Sequence, residues 1–200
     1  MVPVLHIAGA LTSDQCDQLI LDIHQYGEKR EASITSYTSG SGVDPINHKE
    51  RKGIVYQGYS NKNRTLDECL PHPNLLAAYR QYGDTFRSTP SIIPGAYEVQ
   101  MAEYSTEGDH FKRHADQTMN TKTFVSKHPI RKMSMSIVLS DSSEYEGAAL
   151  RFFESNTSTR FEQNKGDIFL FPSWLEHQVD PLISGKRNAL VLWMLGDLWE

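Results

Sequence analysis

Cysteine is scarce in this chain: Cys16 and Cys69 are the only two in 200 residues. Two thiols so placed form neither a disulfide framework nor a zinc-binding spacing, which points to a reducing compartment, the cytoplasm by default. Long apolar runs are missing too. The longest, Ala189 to Leu195, has seven residues, far short of the ~20 that a membrane-spanning helix needs. The opening Met-Val-Pro-Val-Leu-His carries neither the basic leader nor the apolar core of a secretory signal, so a soluble protein without a membrane partner is expected. Positive charge is not in excess either. Twenty Lys and Arg face 25 Asp and Glu, giving a net charge of −5, whereas a general nucleic-acid binder would show a basic stripe. Within that balance, Ser105 to Lys132 holds 6 basic and 3 acidic residues, and the chain from Asp141 onward holds 5 and 10. A locally basic rim can attract an anionic substrate, although a solvated face is the simpler reading.

The length suits one domain, 1–200, with a substantial core, and an apolar content of 38% fits a compact body carrying polar loops. Thr12-Ser-Asp-Gln15 reads as a capping box with Leu11 and Cys16 as its hydrophobic staple. Leu19, Ile20 and Ile23 continue at helical spacing and Gly27 offers a stop, so a helix over Ser13 to Tyr26 is expected, with one apolar stripe laid on a sheet. From Glu31 to Thr65 the chain turns polar, a lid, binding loop or disordered excursion with Ile54-Val-Tyr56 as a short edge strand. A second helix is expected from Asn74 to Arg87, ended by Pro90 and Pro94. Beyond Gly95 the period becomes two: Tyr97, Val99 and Met101 alternate with Gln100, Ala102 and Tyr104, and Met133, Met135, Ile137 and Leu139 alternate with Ser134, Ser136, Val138 and Ser140. Short strands follow at Ala149–Phe153, Thr159–Glu162, Asp167–Phe171, Gln178–Asp180 and Arg187–Leu195. Helices followed by many short strands indicate an α+β chain with a sandwich or jelly-roll core, the helical support covering about 1–94 and the core about 95–200.

The chemistry concentrates in His114-Ala-Asp116 and His177, with Arg187 ten residues further on. Two imidazoles and one carboxylate hold one face of a ferrous ion and leave its other positions open. On an extended segment His114 and Asp116 point to the same side, and His177 would arrive from another strand. An arginine among apolar neighbours, Ala189 and Val191, calls for a carboxylate partner, since a buried unpaired charge is costly. A His-x-Asp triplet alone says little: 8 His in 200 residues yield about half of one such triplet by chance. Its company says more. Gly108-x-x-Phe111-x-x-His114-x-Asp116 precedes Arg131-Lys-Met-Ser134, then Gly166-Asp-Ile-Phe-Leu-Phe-Pro172 runs into His177, and Gly185-x-Arg187 opens the last apolar strand.

In this order the motifs resemble the iron- and 2-oxoglutarate-dependent dioxygenases of the prolyl 4-hydroxylase-like type, over roughly Tyr97 to Gly196. The resemblance implies a double-stranded β-helix, Fe(II) on His114, Asp116 and His177, and 2-oxoglutarate and O2 as co-substrates. It also implies that Arg187 binds the distal carboxylate of 2-oxoglutarate with Tyr104 beside it. The implied reaction couples oxidative decarboxylation to succinate and CO2 with hydroxylation of a C–H bond. A peptidyl proline or other protein side chain is the implied substrate; a free amino acid or small metabolite is the alternative. Two departures stand out. Tyr104-Ser-Thr-Glu-Gly108 is one residue longer than the usual spacing, which a bulge could absorb, and Glu146-Gly147-Ala148 replaces paired glycines. Nucleic-acid repair members carry a second arginine six residues after the first, where this chain has Trp193, so nucleic acid is not the expected partner. Phe124, Arg113, Gln117, Arg151 and Trp193 are candidates for the substrate side. Two rival readings remain: a zinc site on His110-x-x-x-His114 if that segment were helical, and a non-catalytic jelly-roll binding module. Oligomeric state is not legible.

Overall fold

The computed structural model describes residues 2–33, 47–57, 72–86, 91–93, 96–117 and 129–197. Strand β1 (Leu5–Ile7) leads into helix α1 (Ser13–Tyr26), then β2 (Glu28–Glu31), β3 (Arg51–Lys52) and β4 (Ile54–Gln57). Helix α2 (His72–Phe86) comes before β5 (Tyr97–Tyr104), β6 (His110–His114) and β7 (Ile130–Val138). The rest is strands: β8 (Tyr145–Gly147), β9 (Leu150–Glu154), β10 (Thr157–Arg160), β11 (Ile168–Pro172), β12 (His177–Val179), β13 (Leu182–Gly185) and β14 (Arg187–Gly196).

They form a seven-stranded sheet, ordered β1-β11-β7-β14-β5-β4-β2, and a five-stranded sheet, ordered β10-β9-β12-β6-β3, with β13 and β8 as a separate pair. Period-two alternation divides each strand between two cores. Met133, Met135, Ile137, Leu190, Leu192 and Met194 face the helices, where Cys16, Leu19 and Ile23 of α1 meet them. The opposite faces, carrying Ala102, Tyr104, Val138 and Phe171, close on Leu150, Phe152 and Val179 of the smaller sheet. This is the expected α+β jelly roll.

Helix α1 has the expected bounds because its start is doubly closed: Gln15 N–H donates to the Thr12 hydroxyl at 3.3 Å and Thr12 N–H to the Gln15 side chain at 2.9 Å. Gly27 ends it with φ −78°, not in the left-handed region. Glycine is needed there for closeness instead, since a Cβ would lie 2.6 Å from the Ile23 carbonyl and 3.3 Å from Tyr56. Helix α2 begins two residues before the expected Asn74, with Pro73 in the first turn, where a missing N–H costs nothing.

The N-terminal half carries more strand than the expected helical support with one short edge strand. β1 pairs with β11, β4 with β5 and β3 with β6, so strands from before residue 95 extend both sheets. Ile54–Tyr56 is a strand but not an edge, because β2 pairs along its outer side. Polar composition hid β2 and β3: β2 is Glu-Lys-Arg-Glu, exposed throughout, and β3 is Arg-Lys. The proposed stops at Pro90 and Pro94 and the centre of the polar excursion, Ser39 to Gly42, lie outside the described residues.

Candidate metal and co-substrate site

His114 closes β6 and His177 opens β12, and these two strands pair with His177 directly opposite His114. Asp116 stands two residues past the end of β6, in a bend rather than on the strand. One ligand atom from each of the three residues lies within 4.8 Å of the others. His114 Nε2 is 3.6 Å from one Asp116 oxygen and His177 Nε2 is 3.5 Å from the other. Both imidazoles are turned the same way: His114 Nδ1 contacts the Lys112 carbonyl at 2.7 Å and His177 Nδ1 the Leu175 carbonyl at 3.0 Å. A carbonyl only accepts, so each Nδ1 carries the proton and each Nε2 keeps its lone pair for a metal. Asp116 is oriented in turn. The Ser134 hydroxyl donates to it at 2.7 Å and lies 2.9 Å from the Ser173 hydroxyl.

Electrostatics favour the ligand forms. Burial pushes the His177 imidazole down to about 4, against the pull of Asp116, so it is neutral near pH 7. For Asp116, burial acts upward, but the His177 and His114 imidazoles and the Ser134 hydroxyl outweigh it and hold the carboxyl well below the usual carboxylate range. Two imidazole nitrogens and a carboxylate are a donor set suited to a divalent transition metal.

A bulge in β6 shapes the wall. Opposite β12, His177 pairs with His114 but Val179 pairs with Phe111, so three steps on β6 match two on its neighbour. The extra residue brings Phe111 to the cavity side, where its ring stacks on His114 with centroids 3.5 Å apart and planes 19° apart. The cavity encloses about 480 Å³ free of protein atoms, part of it open to solvent. Its walls include Leu150, Phe171, Val179, Ala189 and Val191.

Arg187 opens β14 and reaches this same cavity at 1% exposure, the largest side chain so deeply buried among the described residues. Its Nε and Nη2 have no hydrogen-bond partner among the described residues. Tyr104 is its register partner on β5, with the guanidinium carbon 5.6 Å from the phenol ring centre. Burial raises the Tyr104 phenol above its ordinary value, with Arg51 and Arg187 pulling it back, so it is neutral and able to donate. The extra residue after Tyr104 is taken up in the turn to β6, where the Asp109 carboxylate accepts from Ser105 N–H at 3.0 Å and Thr106 N–H at 2.9 Å. At the second departure, Gly147 (φ +83°) is followed by Ala148 at φ +45°, so an alanine holds a left-handed conformation that paired glycines would take freely.

Other expected residues divide. Trp193 lines the cavity. Arg113 is drawn away to Glu176 and the Ser155 carbonyl, and Arg151 to Asp180, outside the cavity lining. Gln117 binds the Ser173 carbonyl through its backbone N–H at 2.8 Å, and Phe124 lies outside the described residues. The zinc alternative fails on conformation: His110 and His114 occupy one strand, not a helix, and His110 contacts the Gly108 and Lys49 carbonyls. Sequence reasoning named Phe111 and Ser134 only as motif positions without a role, and missed Arg51 and Ser173. Ser134 had a signal, since it stands on the cavity side of the alternating β7 run; Arg51 had none.

Residues 99–195 match the 2OG-Fe(II) oxygenase superfamily. A PKHD-type hydroxylase of Synechococcus sp. (strain CC9902) is 37% identical over 135 residues, 66% of this chain and 58% of that protein. Another, from Psychrobacter sp. (strain PRwf-1), is 23% identical over 197 residues, 96% of this chain and 69% of that one. The chain thus spans little more than half the length of the first. Among solved structures, a Pseudomonas putida prolyl-4-hydroxylase superposes with a TM-score of 0.69 at 19% identity, covering 98% of this chain and 94% of its own. A Trichoplax adhaerens prolyl hydroxylase, solved with a hypoxia inducible factor peptide fragment, gives 0.66 at 16% identity, with 96% and 83% covered. Topology and motif order agree with these likenesses: over residues 99–195 the chain is similar to the 2OG-Fe(II) oxygenase superfamily, and the solved prolyl hydroxylases share its fold.

Proposed function

We propose that this protein is an Fe(II)- and 2-oxoglutarate-dependent dioxygenase, one domain over the whole chain, that hydroxylates a C–H bond of a peptidyl proline or another protein side chain. One observation carries the reading. A nearly inaccessible arginine with two unpartnered donors shares a cavity with two imidazoles and a carboxylate. Leaving such a group unpaired costs several kcal/mol, on the order of 3–5, unless an anion completes it. The distal carboxylate of 2-oxoglutarate is that anion, gripped by the fork of Arg187 with the neutral Tyr104 hydroxyl alongside.

His114, Asp116 and His177 would hold the metal. Iron(II) bound there supplies, with O2, the oxidising chemistry that couples 2-oxoglutarate decarboxylation to hydroxylation. The protein does the rest. The Lys112 and Leu175 carbonyls fix the imidazoles, Ser134 fixes Asp116, and the walls of Leu150, Phe171 and Val191 keep water from the reacting groups. A protein substrate is supported by the Trichoplax relative, whose structure includes a peptide. No helix among the described residues is long and apolar enough to cross a membrane, and the scarcity of cysteine supports the cytoplasm as compartment.

The test is succinate and CO2 formation from 2-oxoglutarate by purified protein with Fe(II), with and without a peptide library, read by mass spectrometry for added oxygen. Turnover that needs both iron and 2-oxoglutarate is expected. A protein that shows none, and whose melting temperature ignores both, is a binding module instead.

A further inference from the structure

The cavity contains a second guanidinium that the reading above does not use. Arg51, on β3, lines it from the smaller sheet, opposite the strand that carries Arg187. Its head lies 4.4 Å from the centre of the Phe111 ring, which in turn stacks on His114. Arg51 is thus fixed one ring away from a metal ligand. Its Nη1 donates to the Ser33 carbonyl at 3.1 Å, and no carboxylate among the described residues pairs with it.

Position separates the two arginines. Arg187 is buried deep in the cavity, whereas Arg51 is partly exposed. The His114 side chain is 20% exposed against 8% for His177, and Phe111, which carries Arg51 on its ring, stacks on the more exposed His114.

Charge gives the same direction. A divalent metal and the dianion of 2-oxoglutarate cancel, and Asp116 balances Arg187. Among the described residues Arg51 has no carboxylate partner, which leaves its charge uncompensated in a confined space with many apolar walls.

We propose that Arg51 binds a carboxylate of the substrate, so that the hydroxylated C–H belongs to a carboxylic acid, either a free amino acid or an acidic peptide. The inference rests on the oxygenase reading: its acidic-peptide form narrows the substrate proposed above, and its free-amino-acid form replaces that substrate with the alternative one. A planar fork held over an aromatic ring is preorganised for two parallel bonds to a carboxylate. Phe111 beneath it supplies an apolar surface for the adjoining carbon chain.

The experiment uses the full chain loaded with Mn(II) and 2-oxoglutarate under nitrogen. Calorimetry gives the affinities of three acid–amide pairs: L-proline and L-prolinamide, N-acetyl-L-proline and its amide, and a capped peptide with glutamate beside proline and its glutamine counterpart. At least one acid is expected to bind about 10- to 100-fold more tightly than its amide, the loss associated with a charge-assisted bond. The pair that shows it tells free amino acid from peptide. Arg51→Gln should reduce that acid to the level of its amide and leave 2-oxoglutarate affinity within about two-fold, which also shows that the variant is folded; Arg51→Lys should keep part of the preference. Three results overturn the inference: no pair prefers its acid, the preference survives Arg51→Gln, or 2-oxoglutarate weakens as much as the acid does. Failure of the parent reading is distinct, because the wild type would then bind neither Mn(II) nor 2-oxoglutarate before any probe is added, and the inference would fall with it.

Discussion

Replacing Arg187 by methionine should make the metal- and ligand-free protein more stable while abolishing its response to 2-oxoglutarate. The guanidinium is 1% exposed, with Nε and Nη2 unpartnered, and its neighbours Ala189 and Val191 are apolar cavity walls. Each unsatisfied buried donor costs about 1–3 kcal/mol. Methionine has a similar reach, no polar demand and the flexibility to fill the space. A gain of about 1–3 kcal/mol is therefore expected, or roughly 2–12 °C in melting temperature at the ~2–4 °C per kcal/mol typical of a chain this size. In the wild type, 2-oxoglutarate at about 100 times its Kd should add about 2.7 kcal/mol, or roughly 5–11 °C. The variant should show no such shift. Thermal melts of both proteins, with and without Mn(II) and 2-oxoglutarate, decide it. A variant less stable than the wild type that still gains from 2-oxoglutarate would refute the reasoning, since Arg187 would then be structural.

Three further outcomes are expected. Ser134→Ala removes the hydroxyl that orients Asp116 at 2.7 Å and should weaken Mn(II) binding about 10- to 100-fold, read by titration with electron paramagnetic resonance. In the metal-free protein, His177 titrates near 4 when folded and near 6.5 when unfolded. Between those values only the unfolded chain takes up the proton, so urea melts should show stability falling by about 3 kcal/mol as pH drops through that window; His177→Gln should flatten the slope, and an unchanged slope would remove burial as its cause. Gly166→Ala places a Cβ 2.1 Å from the Leu11 carbonyl at φ +89°, at the contact that seats the start of α1 on the Gly166 carbonyl. It should cost more than about 2 kcal/mol in urea unfolding.

Much of the fold could be read from residues whose side chains choose a face. Met133, Met135 and Ile137 alternate with serines because one side of β7 meets the helices and the other meets Asp116 and the cavity, and this contrast is written in the residue types. Helix α1 was legible for a similar reason, since both partners of its cap lie within four residues of each other. Strands β2 and β3 were not, because an exposed edge strand and a two-residue strand leave no apolar period to detect. The three ligand residues and Arg187 could be picked out by spacing, yet their meeting depends on the pairing of β6 with β12, which no local pattern encodes. The bulge that turns Phe111 inward is a register property of two strands, invisible in either alone. Arg51 shows the limit most clearly: it lies 63 residues before His114, in a polar stretch, and only β3–β6 pairing brings it to the cavity.

The central claim is that His114, Asp116 and His177 together hold one metal ion. Its most direct test is an anaerobic Fe(II) titration of the wild type beside Asp116→Ala, with bound iron measured per chain. We predict a single equivalent in the wild type and, in the variant, binding weakened at least about 100-fold through loss of the anionic ligand. Equal stoichiometry and affinity in the two proteins would contradict it.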